Sequence, residues 1–106
     1  MRILLDECLP AGLRRELTGH EAVTAPKMGW AGLKNGALLT QAAGAGFEVF
    51  LTADKNLPSQ QKLAAYGIAV VVLRCSTNDI NDLKRLVPAL LAHLTNAKKG
   101  EALIIS

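Results

Sequence analysis

Acidic residues stand at two places where a chain of alternating strands would turn. Asp6 and Glu7 come directly after the apolar run Arg2–Leu5, and Asp54 comes two residues after Thr52, which closes the run Glu48–Thr52. A third polar group, Ser76, Thr77, Asn78 and Asp79, follows the run Ile68–Leu73. If these runs are parallel strands of one sheet, all three groups fall on one edge. That edge lies beyond the carboxyl ends of the strands, where open α/β sheets bind ligands. Carboxylates about 4 Å apart repel by about 4 kcal/mol at an effective dielectric of 20. A cluster there therefore calls for a proton, a cation or distance, and a hard divalent ion with oxygen ligands is one solution.

Each of these residues also has a plainer use. Asp6 or Glu7 can serve as an anion ahead of a first helix, where the dipole favours negative charge. Asp54-Lys55-Asn56 is good turn chemistry. Asp79 and Asp82 fall in the first turns of a helix, so capping and dipole compensation account for them. Asn35 reads as an N-cap. Trp30, between Lys27 and Lys34, can stack on a base or anchor a loop by packing.

The elements that would position these groups are regular. Arg2–Leu5 reads as a strand. Pro10 to Thr18 carries Leu13 and Leu17 at i,i+4, with Pro at its start and Gly19 at its end, a helix pattern. Glu21–Thr24 is a second strand candidate, and Ala25 to Lys34 is a loop. Leu38, Leu39, Ala42 and Ala43 mark a helix closing at Gly44 or Gly46. Glu48–Thr52 is a buried strand, and a short helix opening at Asn56-Leu57-Pro58-Ser59 ends before Gly67. Ile68–Leu73 shows no polar alternation, so both its faces are buried, as in a parallel sheet covered by helices. Ile80, Leu83, Val87, Leu90, Leu91 and Leu94 mark a long amphipathic helix that Pro88 should kink or split. Ala102–Ile105 is a last strand candidate. Strands alternating with helices predict an α/β three-layer sandwich with a mainly parallel central sheet, in a single domain over residues 1–106.

Composition fits this frame. Half of the 106 residues are apolar and 20% are charged, too apolar for a disordered chain. No apolar run reaches the roughly 18 residues that span a bilayer, and acids arrive too early for a signal peptide, so a soluble cytoplasmic protein without a membrane partner is expected. Twelve Lys and Arg against nine acids give +3, a mild bias compatible with a polyanion. The basic residues are scattered, as on a solvated surface. Cys8 and Cys75 form neither a disulfide framework nor a zinc pattern. His20 and His93 have no ligand-like neighbours.

Three segments resemble a small bacterial PIN-like family. Leu4-Leu5-Asp6-Glu7-Cys8-Leu9-Pro10 is similar to the family's LLDENLP opening. Gly32-Leu33-Lys34-Asn35-Gly36-Ala37-Leu38-Leu39 is similar to the start of its central helix. Leu51-Thr52-Ala53-Asp54-Lys55-Asn56-Leu57 is similar to its strand followed by T-x-D-[KR]. The segments occur in the family's order, and the likeness is weakest after about residue 75. The resemblance implies a PIN-like α/β sandwich related to the ribonuclease toxins of toxin–antitoxin pairs, which cleave RNA with Mg²⁺ or Mn²⁺ held by three or four acids. By position it makes Asp6 and Asp54 metal-binding acids and Glu7 an assisting catalytic acid. Many relatives carry a further acid at the central helix start. Here Asn35-Gly36-Ala37 offers none, and Asn35 can donate only a neutral oxygen.

The leading expectation is thus a Mg²⁺- or Mn²⁺-dependent endoribonuclease with Asp6, Asp54 and Glu7 as its catalytic acids. Asp79 or Asp82 could complete the site if the last helix starts at the same edge. Lys34, Lys55 and Asn35 are the candidate substrate contacts, on proximity in sequence. RNA, an antitoxin protein and a second copy of the chain are the expected partners. The alternative is a PIN-like module that binds RNA or an antitoxin without cutting. A phosphoacceptor receiver-like domain is a third reading, with acids after strands one and three and Ser76 or Thr77 after strand four. It requires a Lys at the end of strand five, where this chain has Leu103-Ile104-Ile105-Ser106.

Overall fold

A computed structural model describes residues 1–106. Five strands form one sheet: β1 (Arg2–Leu5), β2 (Glu21–Thr24), β3 (Val49–Thr52), β4 (Ala69–Leu73) and β5 (Ala102–Ile105). Their order is β2-β1-β3-β4-β5, and all four pairings are parallel. The helices are α1 (Asn35–Gly44), α2 (Leu57–Gln60), α3 (Ile80–Lys84) and α4 (Val87–His93). The result is a compact α/β three-layer sandwich.

Alternate side chains of the strands build two cores, because successive residues of a strand point to opposite faces. On one face Ile3, Leu5, Val49, Leu51, Val71 and Leu73 meet Leu13 and Leu17 and the buried residues of α3 and α4. On the other, Leu4, Phe50, Val70 and Val72 meet Leu38, Leu39 and Ala42 of α1, Leu57 of α2, and Leu63. β3 and β4 are buried at every residue, as their lack of polar alternation predicts for central strands.

The predicted first helix is instead a 3-10 segment, Ala11–Glu16, closed by Leu13 N–H on Pro10 C=O and Leu17 N–H on Arg14 C=O. Length accounts for this. Six residues at about 2.0 Å per residue span roughly 12 Å, close to the roughly 13 Å of a four-residue strand. An α-helix of six residues would span only about 9 Å. The long last helix is split, as Pro88 predicts: α3 ends at Lys84, and Pro88 stands in the first turn of α4. Asn35 is the first residue of α1, and Lys34 occupies the capping position without a side-chain bond.

The β3-to-β4 and β4-to-β5 connections step the same way across the sheet, yet their helices lie on opposite faces. They are therefore of opposite hand. The β1-to-β2 connection, which steps backward on the α3–α4 face, shares the hand of β3-to-β4. The β4-to-β5 connection is thus the one that departs from the shared hand of its neighbours, which such connections rarely do. Two consequences follow. No helix covers β5 on the α1 face, and Ile104 is left 43% exposed. The chain leaving β4, with Arg74 N–H still on Ile105 C=O of β5, also returns toward the 3-10 segment against which α3 packs, and Asn78 of this return lies beside Asp6 and Asp54.

Candidate functional site

The sheet order has its switch point between β1 and β3. From there β1 connects outward over one face and β3 over the other, leaving a crevice at the carboxyl ends. Asp6 follows β1 immediately, and Asp54 follows β3 by two residues. A cleft of about 310 Å³ opens at this point, lined by Asp6, Cys8, Ala53, Asp54 and Asn78. Asn78 is supplied by the returning segment after β4.

Asp6 is buried, at 8% exposure, and Thr52 is wholly buried; they are the only buried polar residues in the chain. The Thr52 hydroxyl donates to Asp6 Oδ2 at 2.7 Å and accepts the Asp54 N–H at 3.0 Å. Thr52 thus ties the two acidic loops together. The Cys8 thiol also donates to Asp6 Oδ2, at 3.4 Å, and lies 3.7 Å from the Thr52 hydroxyl. Asp6 Oδ1 has no hydrogen-bond partner, yet no buried side-chain oxygen is left unsatisfied. That oxygen is therefore not sealed from solvent, and its residue lines the cleft. Asp54 Oδ1 accepts the Asn56 N–H at 3.0 Å, and Asp54 Oδ2 is free.

Neither carboxylate has a cationic partner, because the one ion pair in the protein joins Arg2 and Glu21. The cleft is thus lined by two uncompensated acidic residues and by Asn78, residues whose oxygens are hard donors. This set suits Mg²⁺ or Mn²⁺. Mg²⁺ characteristically takes one or two carboxylates, keeps several waters and adds substrate phosphate. The Cys8 residue is exposed, but its sulfur turns inward. Desolvation pushes the thiol above its ordinary pKa, and the Asp6 charge adds to the rise, against lowering contacts from Ala53 and Thr52. The protonated thiol is consistent with its role as donor to Asp6.

The remaining sequence candidates fall elsewhere. Glu7 Oε1 accepts the Gly32 N–H at 3.0 Å, so this carboxylate anchors the loop before α1 and does not line the cleft. Asp79 caps α3, its Oδ1 accepting the Asn81 N–H at 2.8 Å. Asp82 accepts the Thr77 hydroxyl at 2.6 Å. Both acids do what their place at a helix start predicts. Lys34, Asn35 and Lys55 are not among the lining residues, and Lys34 and Lys55 are exposed. No three His, Cys, Asp or Glu side chains converge as a metal cluster. Asn78 comes from the third polar group expected at this edge, whereas Thr52 and Cys8 are members of the candidate site that side-chain type alone does not reveal. The one available signal was a threonine closing an otherwise apolar strand.

No family model, curated protein or solved structure matches the chain. No helix is long and apolar enough to cross a membrane.

Proposed function

We propose that the protein is a PIN-like, Mg²⁺- or Mn²⁺-dependent ribonuclease whose Asp6–Asp54 cleft holds a single divalent ion, in the manner of the toxin of a toxin–antitoxin pair. The observation that carries this reading is that buried Asp6, with one carboxylate oxygen unbonded, shares a cleft with Asp54 and neither carboxylate has a protein cation. Such an ion would supply Lewis-acid stabilisation of a phosphodiester and a lowered pKa for a bound water.

The chain's own residues have definable tasks. Asp6 would hold the ion through Oδ1, while Thr52 and Cys8 fix its rotamer through Oδ2. Asp54 would hold it through Oδ2, with its loop set by Thr52 and Asn56. Asn78 would offer a neutral oxygen or a donor to a substrate phosphate. Lys55, exposed and next in sequence to Asp54, is the nearest candidate for a second phosphate contact. Glu7 is assigned to holding the Gly32 loop.

Purified protein incubated with an RNA oligonucleotide and Mn²⁺ should cleave it, and chelation should stop the reaction. Asp6→Asn and Asp54→Asn should each abolish cleavage. Activity that survives both substitutions contradicts the assignment. A cleft with only two acids also supports a second reading, a module that binds RNA or an antitoxin without cutting. Metal-dependent RNA binding without cleavage would select it.

A further inference from the structure

The edge strand β2 carries a second cleft, of about 380 Å³, away from the two acids. Its walls are the backbone and side chains of Ala22, Val23 and Thr24 with Ala11, and its charged groups are Arg14 and Lys27. Both cations are exposed and neither has a carboxylate partner, since the one nearby acid of the strand, Glu21, is bonded to Arg2 at 2.7 Å.

The strand beside this cleft is open along its outer side. Glu21 N–H bonds Met1 C=O and Ala25 N–H bonds Leu5 C=O. In a parallel ladder alternate residues face the partner, so Val23 also faces β1, while the N–H and C=O groups of Ala22 and Thr24 face outward. No turn or loop bond uses them. The cleft therefore offers alternating backbone donors and acceptors, a largely apolar floor, and charge of a single sign.

We propose that β2 and the Arg14–Lys27 cleft bind an extended acidic peptide segment of another protein as a sixth strand. Main-chain pairing with Ala22 and Thr24 supplies the fixed register. Carboxylates of the peptide pair with Arg14 and Lys27, and small apolar side chains fill the floor. A phosphate chain is the poorer fit, because outward carbonyls of Ala22 and Thr24 repel it. A second copy is also the poorer fit, because it would bring another Arg14 and Lys27 to the same groove on a chain of net charge +3. The other sheet edge, β5, does not show this pattern: the cleft beside it mixes Lys98 with Glu101. This proposal does not depend on the ion site.

The test uses the full chain and a fluorescein-labelled octapeptide of alternating Glu and Val, read by anisotropy. The peptide should bind, and a version N-methylated at alternate residues, which cannot pair as a strand, should not. The Arg14→Glu/Lys27→Glu variant, changed only at exposed positions, should bind roughly tenfold more weakly or worse, the sum expected for two surface charge contacts. Amide exchange at Ala22 and Thr24 should slow on binding. Failure of the acidic peptide to bind, equal binding of the N-methylated or a Lys–Val peptide, displacement by oligouridylate, or self-association through this edge would each overturn the proposal.

Discussion

The chain uses the pattern Thr-x-Asp-x-Asn twice, as Thr52–Asn56 after β3 and as Thr77–Asn81 after β4. The local bonding is the same in both. The threonine hydroxyl accepts the N–H of the aspartate, at 3.0 Å in the first and 3.2 Å in the second. The aspartate Oδ1 then accepts the N–H of the asparagine, at 3.0 and 2.8 Å. The copies part at the hydroxyl proton. Thr52, wholly buried, gives it to Asp6, the residue that follows the neighbouring strand β1. Thr77, exposed, gives it to Asp82 five residues on. The second copy spends its acids on starting α3. The first reaches across the sheet to hold a buried carboxylate whose other oxygen stays open. A loop motif alone does not make a site; a distant, buried partner does.

The sharpest test of this contrast is one substitution made in both copies. Thr52→Val removes the donor to a buried carboxylate and the acceptor of the Asp54 N–H. Bonds to charged groups contribute about 1.5–3 kcal/mol, so Thr52→Val should lower unfolding stability by about 2 kcal/mol in urea denaturation. Thr77→Val, at an exposed position, should fall within about 0.5 kcal/mol. Equal costs would erase the distinction between the copies.

What the sequence made legible follows the same line. The shared edge of Asp6 and Asp54 could be read because residues one and two past the ends of buried parallel strands stay close to that edge. Glu7, also two residues past its strand and expected as a third catalytic acid, instead accepts the Gly32 N–H, a contact of 25 residues' separation. Asn78 belongs to the polar group after β4 that the parallel sheet assigns to the same edge, and it does line the cleft; which member of that group arrives there is not encoded in hydrophobic periodicity. The stretch from Pro10 to Thr18 reads as an α-helix because Leu13 and Leu17 are spaced for one; the length of strand to be covered favours the more extended 3-10 form over Ala11–Glu16.

A smaller effect separates the aspartates. Asp79→Ala removes the cap of α3 and should cost about 1 kcal/mol, measured by thermal unfolding, with ion binding unchanged. Asp54→Ala should do the reverse, abolishing ion binding with a smaller loss of stability, because α2 has Asn56 at its capping position and no side-chain cap to lose.

The smallest concerns Cys8, which has no counterpart in the second loop. Burial and the Asp6 charge raise its folded pKa, so the folded protein holds this proton more tightly than the unfolded chain. The associated stability is complete below the unfolded value and is lost as the pH rises through the folded one. A stability–pH profile should therefore decline on the alkaline side, and Cys8→Ser should flatten that part of it.

The most direct measurement is a calorimetric titration of Mn²⁺ into the intact protein, the Asp6→Asn variant and the Asp82→Asn variant. One site per chain is predicted in the unaltered protein, retained in Asp82→Asn and lost in Asp6→Asn while its fold, by circular dichroism, is kept. Absence of binding in the unaltered protein, or equal binding in all three, would contradict the account.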